Sequence, residues 1–326
     1  MSPKLKKAIS YIIPPIITVG LCYILYSDVD PEMIRRGIGE CNPWLVAAFL
    51  SCNVAAMVFR GVRWRLQLRA IGVNPGLGVM SRSIFGTYAV NLVFPRLGEI
   101  WRSGFIARVG NAPFSAVFGT MVADRLSDTL TVLLICIPTF ILSSSALDRF
   151  LQHANPGASL GRLLTSWPVI ALGILLVAAA IWIWLGKDKW AVRLRGFVVR
   201  TWKGFTVIFT MPHRGRWLLL TLAVWGSYVL SMGLSMLAFP PTAALAATHG
   251  ATCVLVTFVF GSLAMAIPSN GGIGPWQFAI ILALSGLYGL DRDQALVFAT
   301  LNLAASTLLT VVLGLASFAH IALRHK

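Results

Sequence analysis

The chain of 326 residues is 57% hydrophobic and only 12% charged, with a mean hydropathy of +0.79. Soluble domains carry about twice that charged fraction, which excludes a water-soluble globular enzyme and leaves a polytopic membrane protein. The formal net charge of +16 does not point to nucleic acid, because Lys and Arg collect in the cytoplasmic loops of membrane proteins and their placement here follows that rule.

The first apolar segment spans about Ile9–Tyr26, behind Lys4, Lys6 and Lys7. No small-residue cleavage site follows it, so a retained helix is expected. An acidic connection leads to segment two, about Pro43–Phe59, opened by Trp44 at an interfacial position. The basic stretch RGVRWRLQLR (Arg60–Arg69) alternates cations with apolar residues, a pattern suited to chain lying on an anionic membrane surface.

The stretch Ser83–Val109 is apolar but broken at Asn91–Glu99, with Pro95 and Gly98 at the centre. Proline removes a backbone donor and disfavours helix before it, and glycine relaxes the backbone beyond. Each arm has about 11–12 residues, roughly 17 Å of helix against a hydrocarbon layer of about 30 Å. Segment three follows at about Phe114–Leu142 and carries Asp124, Arg125 and Asp128 in its first half. A polar connection leads to segment four, about Trp167–Leu185. The basic connection 186–216 is expected to be a solvated cytoplasmic face touching anionic lipid. Segment five covers about Trp217–Phe239. A second broken element, about Ala251–Tyr288, has its break at AIPSNGGIGPW (Ala266–Trp276) around Pro268, and the last segment runs about Gln294–Leu323.

With both broken elements read as re-entrant hairpins, twenty-one Lys and Arg fall inside, five outside and Arg125 in the membrane. The termini are therefore expected in the cytoplasm, at the inner membrane. The order span, span, hairpin, span occurs twice, with three crossings in each half. The expected fold is all-α: six full transmembrane helices plus two re-entrant hairpins, eight membrane segments in one domain over 1–326. Its inverted repeats are about 9–142 and 167–323, an arrangement characteristic of secondary transporters. The competing reading makes each broken element a kinked crossing with a separate helix.

The motifs NLVFPRLGEIWR, MVADRLSDTL and AIPSNGGIG resemble the lysylphosphatidylglycerol synthase transmembrane (flippase-like) family over nearly the whole chain. The resemblance implies a lipid-translocating module for phospholipid, polyprenyl-phosphate or hopanoid-type lipid. The sequence ends at Lys326, so this reading expects a stand-alone module without the lysyl-transferase domain, and lysyl transfer is not implied.

An anionic lipid needs cations and backbone donors near the midplane. Arg96 and Arg102 supply guanidinium groups, and helices starting after Gly98 and Pro275 aim their N-terminal amides at the breaks. Glu99 either joins this site or pairs with Arg96. Ser269, Asn270, Gly271, Gly272 and Gly274 would let backbone approach a headgroup. Asp124 and Asp128 share a face, Arg125 can pair with Asp128, and one carboxylate is left in excess. That excess acid either carries a proton coupled to transport or neutralises Arg96 or Arg102. Asn302, Ser306 and Thr310 line one face of the last segment.

The five cysteines show no CxxC spacing and the five histidines pair with no carboxylate, so no disulfide framework, metal, cofactor or catalytic set is expected. The sequence therefore predicts a flippase for an anionic or polyprenyl-phosphate-linked lipid. The alternatives are an intramembrane enzyme acting on a lipid phosphate or lipid-linked sugar, and a partner subunit without transport of its own.

Overall fold

The computed structural model describes residues 31–94, 96–143, 182, 184–186, 188–267 and 269–324. The expected first segment, most of the fourth, the connection before it, Pro95 and Pro268 lie outside the described residues. Every regular element among those described is helical. In chain order they are α1 (Pro31–Glu40), α2 (Pro43–Ala70), α3 (Leu77–Val93), α4 (Leu97–Val109), α5 (Phe114–Leu142), α6 (Lys189–Thr210), α7 (Arg214–Ala238), α8 (Pro240–Ala264), α9 (Pro275–Ile281) with a π-helical continuation Leu282–Leu287, and α10 (Arg292–Arg324). Five of these (α2, α5, α7, α8 and α10) are long and apolar enough to cross a membrane. The protein is thus a multi-pass, all-helical membrane protein.

Local chemistry sets the helix starts. Asn42 caps α2 by accepting the Trp44 and Leu45 amides, and Pro43 occupies the first turn, where a missing N–H costs nothing. Asp188 caps α6 and Asp291 caps α10 in the same way. The acidic connection after segment one contains a short helix, α1, whose Glu32 pairs with Arg35 at 2.6 Å on its exposed face.

One sequence expectation is corrected here. Segment two does not stop at Phe59: α2 continues through the basic stretch to Ala70, and Arg60, Arg63 and Gln67 are buried rather than resting on a lipid surface. Their spacing puts them on one helix face, turned inward toward α5. The connection 186–216, read from the sequence as a basic face, is largely helical: 22 of its residues form α6. One side of α6 packs on α5, and the other exposes Trp190, Trp202 and Phe209 among its cations, the build of an interfacial helix.

At the α5–α6 crossing the backbones meet at glycine. A Cβ on Gly204 would sit 2.5 Å from the Ala116 carbonyl oxygen and 3.0 Å from Gly119 Cα. Gly204→Ala should therefore push α6 off α5 and destabilise the protein by about 1–3 kcal/mol. Thermal unfolding in detergent measures this as a lowered midpoint.

The long helices pair in a regular way. α2 lies along α7 at the centre. α3 packs with α4 as a helical hairpin, and α8 packs with α9 as a second. The first hairpin packs on α10, α2 and α5, and the second on α7, α5 and α10, so each touches the last long helix of the other half as well as its own half. The second hairpin begins at Gly250, whose φ of 63° and ψ of −150° interrupt α8. Its first arm, 251–264, is therefore about 21 Å long at 1.5 Å per residue. The main apolar core joins α5, α7, α8, the α9 hairpin and the start of α10, and a second cluster around Trp64 joins α2 through α5.

Candidate functional site

The first break is tied by Asn91. Its Oδ1 accepts the Gly98 amide at 2.8 Å, and its Nδ2 donates to the Glu99 carboxylate at 3.2 Å. Gly98 is required here, since a Cβ would collide with the Thr87 carbonyl across the hairpin. Arg96 turns the chain with φ 62° and ψ 0°, a left-handed conformation that costs a non-glycine residue about 1–2 kcal/mol.

The second break turns through Gly271, Gly272 and Gly274, with φ of 63°, 86° and 89°. These conformations are open to glycine and strained for other residues. The Gly274 amide donates to Gln277 Oε1 at 3.1 Å.

The two tips touch. Arg96 Nη2 donates to the Ala266 carbonyl at 2.5 Å, joining positions 170 residues apart. Leu92 fills the space where Gly271 would carry a Cβ. Beneath this contact lies a cavity of about 570 Å³, walled by both tips and by α5, α7 and α10. Of the expected binding residues, Arg96, Glu99, Ser269, Gly271 and Gly272 line it, and Asn270 and Gly274 do not. Leu133, Leu263, Met265 and Ile267 form an apolar rim, each between 42% and 52% exposed. A second chamber of about 380 Å³ shares Tyr88, Arg125, Asp128 and Trp225 with the first, and Asn302, Ser306 and Thr310 line it together as their spacing predicts.

Arg102 does not reach the cavity. It is fully buried, with its guanidinium 4.5 Å from the Trp64 ring centre and Nη2 3.4 Å from Asp124. At the helix starts the Leu97 amide goes to Phe94, Gly98 to Asn91 and Gly274 to Gln277, so these three amides are already engaged.

The carboxylates of α5 are held by arginines that sequence reasoning placed at the membrane surface. Arg63, itself fully buried, reaches Asp124 at 2.6 Å and Asp128 at 2.7 Å. Arg60 reaches Asp128 at 3.2 Å. Arg125 lies 3.6 Å from Glu99 and 3.8 Å from Asp128. Arg96 has its hydrogen bond to a carbonyl rather than to Glu99. The expected surplus of acid is reversed, with Arg60, Arg63, Arg102 and Arg125 facing Asp124, Asp128 and Glu99. The available signal for this was the matched spacing of Arg60 and Arg63 on one helix and Asp124 and Asp128 on another.

This geometry can hold an anion beside Arg96 and Arg125 while apolar chains leave over the leucine and methionine rim.

Residues 11–314 match the family model described as the lysylphosphatidylglycerol synthase TM region. The chain is similar to a protein named glycosyltransferase AglD from Haloferax volcanii, 24% identical over 344 residues that take in 97% of this chain and 55% of that protein. It thus spans about half the length of this relative. No solved structure gives a significant match. The chain belongs to the lysylphosphatidylglycerol synthase transmembrane-region family.

Proposed function

We propose that the protein moves an anionic lipid, a phospholipid or a polyprenyl-phosphate-linked lipid, between leaflets through the cavity beneath the joined tips. The observation that carries this reading is the cavity's own composition, with guanidinium groups at its polar end and an exposed apolar rim at its mouth. Arg96 binds the phosphate, Arg125 backs it, and Glu99 with Asn91 fixes the hairpin that presents Arg96. Ser269, Gly271 and Gly272 let the second tip approach the headgroup. Asp124 and Asp128 act as fixed counterions, since arginines already hold them.

The two tips belong to re-entrant hairpins that enter from opposite leaflets within one domain of inverted repeats. Support comes from the arms, shorter than the roughly 30 Å hydrocarbon layer, and from each hairpin's packing on the opposite half. Charged, irregular backbone at this depth persists where protein and a wet cavity surround it. The termini face the cytoplasm at the inner membrane, by the excess of Lys and Arg on that side. Alternating exposure of the site follows from separating and rejoining the tips.

The name of the similar Haloferax protein favours a second reading, glycosyl transfer within the membrane. One assay separates the two. Proteoliposomes with fluorescent polyprenyl phosphate should exchange it between leaflets faster than protein-free vesicles and return it chemically unchanged. Exchange at the protein-free rate, or a glycosylated product, would defeat the transport reading.

A further inference from the structure

The second chamber adds neutral amides and hydroxyls to the charged groups Arg125 and Asp128 that it shares with the first. Resting on the reading that the cavity takes a phosphate-bearing lipid, we infer that this chamber receives a neutral, hydroxyl-rich ring attached to that phosphate, a hexose or an inositol.

Three observations carry the inference. First, beside Arg60, Arg125 and Asp128 the chamber presents neutral donors and acceptors. Asn302 lines it, half-buried, with no hydrogen-bond partner among the described residues. Opposite, Asn53 accepts from Ser231 at 2.9 Å and donates to Ser306 at 3.4 Å. Amides and hydroxyls both give and take hydrogen bonds, as a ring of hydroxyls does.

Second, Trp225 and Trp276 both line the chamber. Flat aromatic faces suit the C–H faces of a sugar ring, and their apolar bodies leave the polar edge to the amides.

Third, among the described residues the cavity offers a cationic headgroup no carboxylate free of an arginine. Both carboxylates of the cavity are already engaged, Asp128 by Arg60 and Arg63 and Glu99 by Asn91 and Arg125. The Arg60 guanidinium also sits 5.8 Å from the Tyr228 ring centre, filling the cation–π position an ammonium would take. The chamber's 380 Å³ corresponds to roughly a dozen water volumes at about 30 Å³ each, room for one such ring.

The test uses the full chain in nanodiscs with a fluorescent polyprenyl phosphate bound. The competitors are unlabelled polyprenyl phosphate, its hexosyl derivative, phosphatidylinositol and lysylphosphatidylglycerol. A ring-bearing lipid should displace the probe at about fivefold lower concentration than bare polyprenyl phosphate, the effect of one or two added neutral hydrogen bonds. Asn302→Leu should bring that ratio to about one, and Asn302→Ser should restore part of it. Arg96→Ala should weaken bare and ring-bearing lipids alike. Preference for the hexosyl lipid alone identifies a glycosyl carrier, and preference for phosphatidylinositol alone identifies a phospholipid; either supports the inference. Equal competition by bare and ring-bearing lipids, tightest competition by lysylphosphatidylglycerol, or an unchanged ratio in Asn302→Leu overturns it while leaving phosphate-lipid binding intact. If no polyprenyl or inositol lipid binds, the phosphate-lipid reading fails and this inference with it.

Discussion

Asp124→Ala should abolish accumulation of folded protein, at a cost of about 3–5 kcal/mol, because it leaves buried charge uncompensated. Asp124 is fully buried between Arg63 and Arg102, which are also fully buried. Removing the carboxylate leaves Arg102 with no other anion at ion-pair distance among the described residues and leaves Arg63 dependent on Asp128. A loss of that size is a large share of the about 5–15 kcal/mol by which a domain is normally stable. Yield from the membrane and the unfolding midpoint in detergent read it directly. Arg63→Ala should be comparably severe, and the double variant Arg63→Ala with Asp124→Ala should lose less than the sum of the two. Additive losses would mean that the pair is not energetically coupled. A proton carrier at Asp124 would behave differently, with Asp124→Asn folding normally and losing only pH-dependent transport.

Arg96→Gly should uncouple stability from transport. The residue sits at φ 62°, where glycine is at ease, so the substitution removes local strain of about 1–2 kcal/mol. Among the described residues its side chain makes one hydrogen bond, to the Ala266 carbonyl, and no carboxylate lies within ion-pair distance. The unfolding midpoint should therefore hold or rise. Leaflet exchange should fall by tenfold or more, on the order of the about 1.5–3 kcal/mol of a hydrogen bond to a charged group. Arg96→Lys should keep part of the rate, since an ammonium retains the charge but not the planar fork. A residue that only shaped the hairpin would lower stability and exchange together.

What the sequence made legible was local. Proline and glycine located both breaks, although Pro95 and Pro268 themselves lie outside the described residues. The apolar run Phe114–Leu142 coincides with α5 residue for residue, and the last segment differs from α10 by two residues at its start and one at its end. The first arm of the first hairpin runs longer than expected, from Leu77, because no proline lies between Gly76 and Ser83 and Gly78 falls in the first turn, where a helix tolerates it. What stayed hidden depended on partners far along the chain. A basic amphipathic stretch and a buried cationic face have the same period, so only the position of Asp124 and Asp128, more than 60 residues away, decides that Arg60 and Arg63 turn inward. Asn91 reads as an ordinary break residue until Gly98 and Glu99 are folded back on it. The contact of Arg96 with Ala266 could be guessed only as a meeting of breaks, not as a guanidinium on a carbonyl.

Single-cysteine labelling tests most directly the proposal that the two hairpins enter from opposite leaflets. In a background lacking the five native cysteines, Gly76→Cys and Arg108→Cys mark the two ends of the first hairpin. Thr248→Cys and Asp293→Cys mark those of the second. All four positions are exposed. A membrane-impermeant thiol reagent applied to intact cells should label Thr248→Cys and Asp293→Cys and should reach Gly76→Cys and Arg108→Cys only after permeabilisation. Labelling of Gly76→Cys and Arg108→Cys from opposite sides would make that element a crossing and contradict the account.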